Sequence, residues 1–160
     1  MRKWLSLIAA ALTVAVVIPS VAGAAAKHHK CSLNLTIRSA AVKTTGNPPL
    51  NGTATRAGLV DGKLCGKQFR GASRGVVTFT GPGKAPTAVG SFFGPWGSYQ
   101  TSGSFPGVPH PDGSVTITGS GKITGGTGLY RGATGSFSAT GTIPANSPVD
   151  TIHYTGTIKY

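Results

Sequence analysis

Acid–base or metal chemistry needs titratable side chains. Past its N-terminal segment this chain holds few: Asp61, Asp112 and Asp150, four histidines and four tyrosines, with no glutamate anywhere. A general acid or base works only when it is held in a cavity within reach of the reacting proton. Asp61 and Asp112 each precede a glycine, a context in which a short carboxylate bonds its own backbone, and both are read as turn residues. Asp150 stands just before the last predicted strand, where a carboxylate at a barrel mouth could serve a ligand. His28 and His29 fall in a tail, and His110 and His153 have no partners at metal-ligand spacing. His153 lies on the wet phase of the last predicted strand. No catalytic set, metal centre or cofactor is therefore assigned.

Binding is better provided for. The aromatic segment Phe92, Phe93, Trp96, Tyr99 and Phe105 gathers apolar surface beside Gly94-Pro95 and Gly97. It reads as core packing with a capped barrel end, or as the wall of an apolar pocket or a mouth loop touching a hydrophobic or carbohydrate ligand. Trp96, inside a Pro-Gly turn, is the residue expected to be exposed. Charge is the second signal: with Arg2 and Lys3 set aside, thirteen Lys and Arg stand against three Asp, about +10 with neutral histidines. Lys63, Lys67, Arg70 and Arg74 crowd one region and predict contact with anionic material such as envelope polymer, acidic polysaccharide, headgroups or nucleic acid. No nucleic-acid motif accompanies them.

The elements that must position these residues are strands. Val115 and Ile117 alternate with Thr116 and Thr118, and the same period of two returns in 133–140 and 152–160. Such alternation means one buried and one wet face. Abundant Gly, Thr and Ser disfavour helix. Eight strands are predicted: Ser32–Arg38, Gly52–Gly58, Arg74–Thr80, Thr87–Phe93, Ser98–Phe105, Ser114–Thr124, Ala133–Ile143 and Thr151–Lys159. Turns at 47–49, 61–62, 81–83, 94–95, 110–113, 125–126 and 144–148 separate them. Gly119, Gly121, Gly135, Gly141 and Gly156 share the phase of the apolar residues. Interior glycines suit a tightly curved closed barrel better than the alternative, a β-sandwich.

The N-terminus has the form of a secretory signal over residues 1–26: Arg2 and Lys3, an apolar run from Leu5 to Ile18, then small residues after Pro19. An uncleaved anchor is the alternative. Residues 27–160 then form one domain outside the cell. Export makes a Cys31–Cys65 disulfide the natural reading of the only two cysteines, over a redox or metal pair. Asn34-Leu35-Thr36 and Asn51-Gly52-Thr53 are glycosylation sequons.

The run from Lys122 through Gly125-Gly126-Thr127-Gly128-Leu129-Tyr130-Arg131-Gly132 to Phe137 resembles the glycine-rich hairpin of dirigent proteins and allene oxide cyclase-like barrels. The close match spans about sixteen residues. The resemblance implies an eight-stranded antiparallel barrel with a central cavity, hydrophobic small-molecule ligands and dimers or trimers, closest to uncharacterised secreted bacterial members. Gly125, Gly126, Gly128 and Gly132 are read as structural turn glycines and Tyr130 as a cover over the barrel end, a further ligand-contact candidate. A phosphate loop is disfavoured, because no Gly-Lys-Ser/Thr and no helix follow. Two functions stay open: a non-enzymatic binding barrel, and a cyclase or dirigent-like enzyme that steers a reactive substrate by shape. The enzyme predicts an inward-facing cluster of Tyr, Asp or His, and an apolar, filled lumen would sink it. The absence of glutamate departs from the cyclases.

Overall fold

A computed structural model describes residues 29–160, so the signal segment expected over 1–26 lies outside the described residues, as do Lys27 and His28. Nine strands follow one another: β1 (Lys30–Asn47), β2 (Asn51–Leu64), β3 (Lys67–Thr80), β4 (Thr87–Gly94), β5 (Gly97–Ser104), β6 (Gly107–Pro109), β7 (Val115–Gly126), β8 (Thr134–Ile143) and β9 (Val149–Lys159). Each is antiparallel to its neighbours, and β5 pairs with β7 to join the two ends of the sheet. The result is a closed eight-stranded antiparallel barrel with β6 outside, bonded to the start of β7. The barrel expected from the glycines is thus present, and the sandwich is not.

Alternation places Leu33, Leu35, Ile37, Val60, Leu64, Ile123, Phe137 and Ile158 inside. Glycines of the same phase permit the curvature. A Cβ on Gly156 would collide with the Ser136 carbonyl of β8, so only glycine lets the two backbones close up there. The outward phase of β8 is wholly Ser and Thr, and that of β7 and β9 taken together is mostly so, with Lys122, Val149, His153 and Lys159 among the exceptions.

Two turn assignments are corrected. Asp61-Gly62 is not a turn: both residues lie within β2, with Gly62 opposite Leu35, where a side chain would strike the Asn34 carbonyl. The β2–β3 turn falls at Cys65-Gly66, with φ of 57° and 75°. Positive φ at both central residues is what a two-residue hairpin turn of type I′ demands. Likewise Gly125 and Gly126 end β7, and the turn lies in the 3₁₀ segment Gly128–Tyr130 and Arg131-Gly132. Gly128 and Gly132 do supply positive φ, whereas Gly126 is required because a Cβ would strike the backbone of Tyr130.

The two ends of the barrel differ. At one, an aromatic stack closes the lumen: Tyr160 meets Tyr130 edge-on at 5.2 Å, Tyr130 meets Tyr99 at 6.0 Å, and Tyr99 stacks on Phe92 at 4.8 Å. The expected disulfide joins Cys31 to Cys65 at this end. At the other end β1 runs on past β9, pairing with it only as far as Ala40 while its pairing with β2 continues to Asn47.

Candidate functional site

Beneath the open end lies a cavity of about 160 Å³ with apolar walls that include Ile37, Ala54, Val77, Ile117 and Ile152. Phe92, Phe105 and Tyr154 also line it, and Tyr154 sits 5.6 Å from Phe92 and 5.1 Å from Phe137, continuing the aromatic stack down to the cavity.

A charged cluster interrupts the apolar wall, while Arg74, also at the cavity, is exposed on the outer phase of β3. Arg56 Nη2 lies 2.6 Å from Asp150 Oδ2, Ser39 Oγ donates to Asp150 Oδ1 at 2.6 Å, and Arg56 Nε donates to Ser39 Oγ at 3.3 Å. Asp150 is 1% exposed and Arg56 20%. Strand register assembles the cluster, since Ser39 on β1 faces Asp150 directly across the β1–β9 pair and Arg56 arrives from β2. Burial of an ion pair in an apolar wall costs desolvation, which only close geometry and extra hydrogen bonds repay.

The tyrosines of the lumen are held neutral. Burial drives the Tyr154 phenol well up, the nearby Asp150 carboxylate raises it further, and Arg56 partly offsets this. Burial likewise raises Tyr99, helped by Tyr154 and Tyr130, and pushes Tyr130 to about 12. A phenol whose folded pKa lies above its unfolded value of 10 contributes stability that is complete below pH 10 and is lost as pH rises through the folded value. Alkaline titration followed by tyrosinate absorbance is therefore expected to show Tyr99, Tyr130 and Tyr154 ionising late. For Tyr130 the loss of stability falls between pH 10 and about 12. Ionisation of these three near pH 10 in still-folded protein would contradict the burial that closes the lumen.

Of the six aromatic candidates, the structure brings Phe92 and Phe105 to the cavity. Tyr99 and Tyr130 belong to the stack at the closed end. Phe93 points outward in one row with Leu59 and Ala72 across three strands, and Trp96 is exposed, as expected, in the β4–β5 turn. Lys63, Lys67, Arg70 and Arg74 all stand exposed on the β2–β3 hairpin, outside the barrel, where Asp61 sits 3.6 Å from Arg70. Asp112 is a turn residue as read; hydrogen bonds from the Ser114 hydroxyl and backbone N–H hold its carboxyl below the usual range. His153 is on the wet face, bonded to Thr36.

Asp150 belongs to the lumen, and its partners Arg56 and Ser39 are not among the sequence candidates. Their signal is phase: Arg56 falls in step with Ala54, Val60 and Leu64, and a charged residue on the inward phase needs a buried partner. Among the described residues no His, Cys, Asp or Glu group could hold a metal, and no helix is long and apolar enough to cross a membrane. In comparisons with known proteins, no family model and no curated protein matches the chain.

Proposed function

We propose that this is an exported, non-enzymatic barrel that holds a small hydrophobic ligand in its lumen. The observation that carries the reading is the apolar cavity of about 160 Å³ between the aromatic stack and the open end. An apolar cavity of roughly 150 Å³ holds benzene, whereas drug-sized ligands occupy roughly 300–1,000 Å³. The ligand is accordingly one ring in size, or the end of a longer chain whose remainder passes through the mouth. The barrel and the glycine-rich segment at 122–137 support kinship with the allene oxide cyclase-like and dirigent barrels. The disulfide fits an oxidising compartment, in keeping with a secretory signal at 1–26. The basic β2–β3 surface is a second contact, suited to anionic envelope polymer.

A second reading, a cyclase or dirigent-like enzyme, draws on Asp150 and Tyr154, the inward acid and phenol such chemistry requires. Binding is favoured because both Asp150 oxygens are already engaged by Ser39 and Arg56, which leaves no carboxylate oxygen free of a partner to take a proton.

Native mass spectrometry of the secreted protein tests the binding reading, with a co-purifying small molecule expected. Ala54 is buried at the cavity wall. Ala54→Phe fills that space and is expected to lower apolar-ligand affinity at least about ten-fold, with a melting temperature close to wild type. Ligand retention in a folded Ala54→Phe protein would place the binding elsewhere.

A further inference from the structure

We infer that the lumen selects compact hydrophobes carrying one neutral acceptor oxygen, such as a ketone or ester carbonyl, over the matching carboxylates; this rests on the reading of the barrel as a lumenal binder.

The donors left over in the cavity wall point to this chemistry. A guanidinium carries five N–H donors in a fixed fork. In Arg56, Nε donates to Ser39 Oγ, and Nη2 donates to the Ser39 carbonyl at 3.2 Å and to Asp150. Nη1, with two N–H groups, has no partner among the described residues, and neither has the Tyr154 hydroxyl. No side-chain nitrogen or oxygen among the described residues is both fully buried and unpartnered, so these two groups are accessible. Both residues line the cavity. The other polar lining residues are Ser73 and Thr101, which bring neutral hydroxyls, and Arg74, which is exposed on the outward phase of β3. The site thus presents donors and no free anion.

Charge then decides which acceptor is taken. Asp150 already compensates Arg56, and its two oxygens are engaged. A ligand carboxylate enters as a third, uncompensated charge beside Asp150 and between apolar walls, where its desolvation is not repaid. A carbonyl brings no net charge and accepts from a charged donor, which gives the stronger kind of hydrogen bond. A pure hydrocarbon strips water from the same donors and returns nothing.

The test uses three one-ring probes of similar shape, acetophenone, benzoate and ethylbenzene, titrated into the purified chain. Occupancy is read by displacement of bound acetophenone in ligand-observed NMR, so that benzoate on the basic exterior is not counted. Acetophenone is expected to bind about ten-fold more tightly than either of the others. That preference is expected to shrink several-fold in Tyr154→Phe, and to fall to about one in Arg56→Met/Asp150→Leu, which removes both charges together. Tyr154→Phe keeps the ring and its packing, and serves even where the double variant does not fold. Benzoate binding as tightly as acetophenone, or an undiminished preference in the folded variants, overturns the inference while leaving a binding barrel. Failure of all three probes to bind overturns the binding reading as well.

Discussion

Asp150→Ala is expected to destabilise the barrel by about 3 kcal/mol, the lower end of the range for breaking a buried ion pair. The substitution leaves the Arg56 guanidinium in an apolar wall without its counter-charge and takes from Ser39 Oγ its acceptor. The low end applies because Arg56 is 20% exposed, so its charge is partly screened by solvent. Urea unfolding is expected to give a lower midpoint with an unchanged slope, the mark of a change in stability rather than in the surface exposed. Arg56→Met/Asp150→Leu is expected to recover most of the loss, since a buried pair replaced together by apolar side chains is frequently neutral or better. An Asp150→Ala protein as stable as wild type would show that the pair is solvated.

Reduction of Cys31–Cys65 is expected to cost about 3–4 kcal/mol, because the bond spans 34 residues and removes a comparable loop-closure entropy from the unfolded chain. The bond ties the start of β1 to the β2–β3 turn, where Leu33 and Leu64 already pair in register. It therefore adds little order to the native barrel, and its effect falls on the denatured ensemble. Unfolding of the same protein with and without dithiothreitol isolates this contribution, with a steeper urea dependence expected for the reduced chain. A reduced protein with an unshifted midpoint would mean that the denatured chain is held compact by other contacts.

The period of two made the barrel legible, because alternation records which face is wet without reference to partners. All eight predicted strands are present. β6 was not foreseen: Pro106, Pro109 and Pro111 make residues 105–112 look like a connection, and three residues on the outside carry no inward phase. The Asp61-Gly62 misreading has a related origin. Asp-Gly is a strong turn signal locally, but a glycine on the inward phase serves close strand approach equally well, and local sequence does not separate the two. Ending the second strand at Gly58 hid the inward phase shared by Arg56, Val60 and Leu64, and with it the charged cluster. Asp150 was visible as an acid without a turn to serve. What joined it to Arg56 and Ser39 is register, a relation between strands distant in the chain. The aromatic segment was legible as a group, yet its members divide among lumen, stack and exterior, because adjacent residues such as Phe92 and Phe93 face opposite ways.

The aromatic stack from Tyr160 to Phe92 makes the barrel a vessel with one opening. Whatever enters leaves by the same path, and a resident molecule must depart before the next arrives. Release is then first order and indifferent to the concentration of a waiting competitor, so residence time is fixed by the mouth and its bordering hairpin. A conduit open at both ends would behave otherwise, with each arrival able to push the last one through.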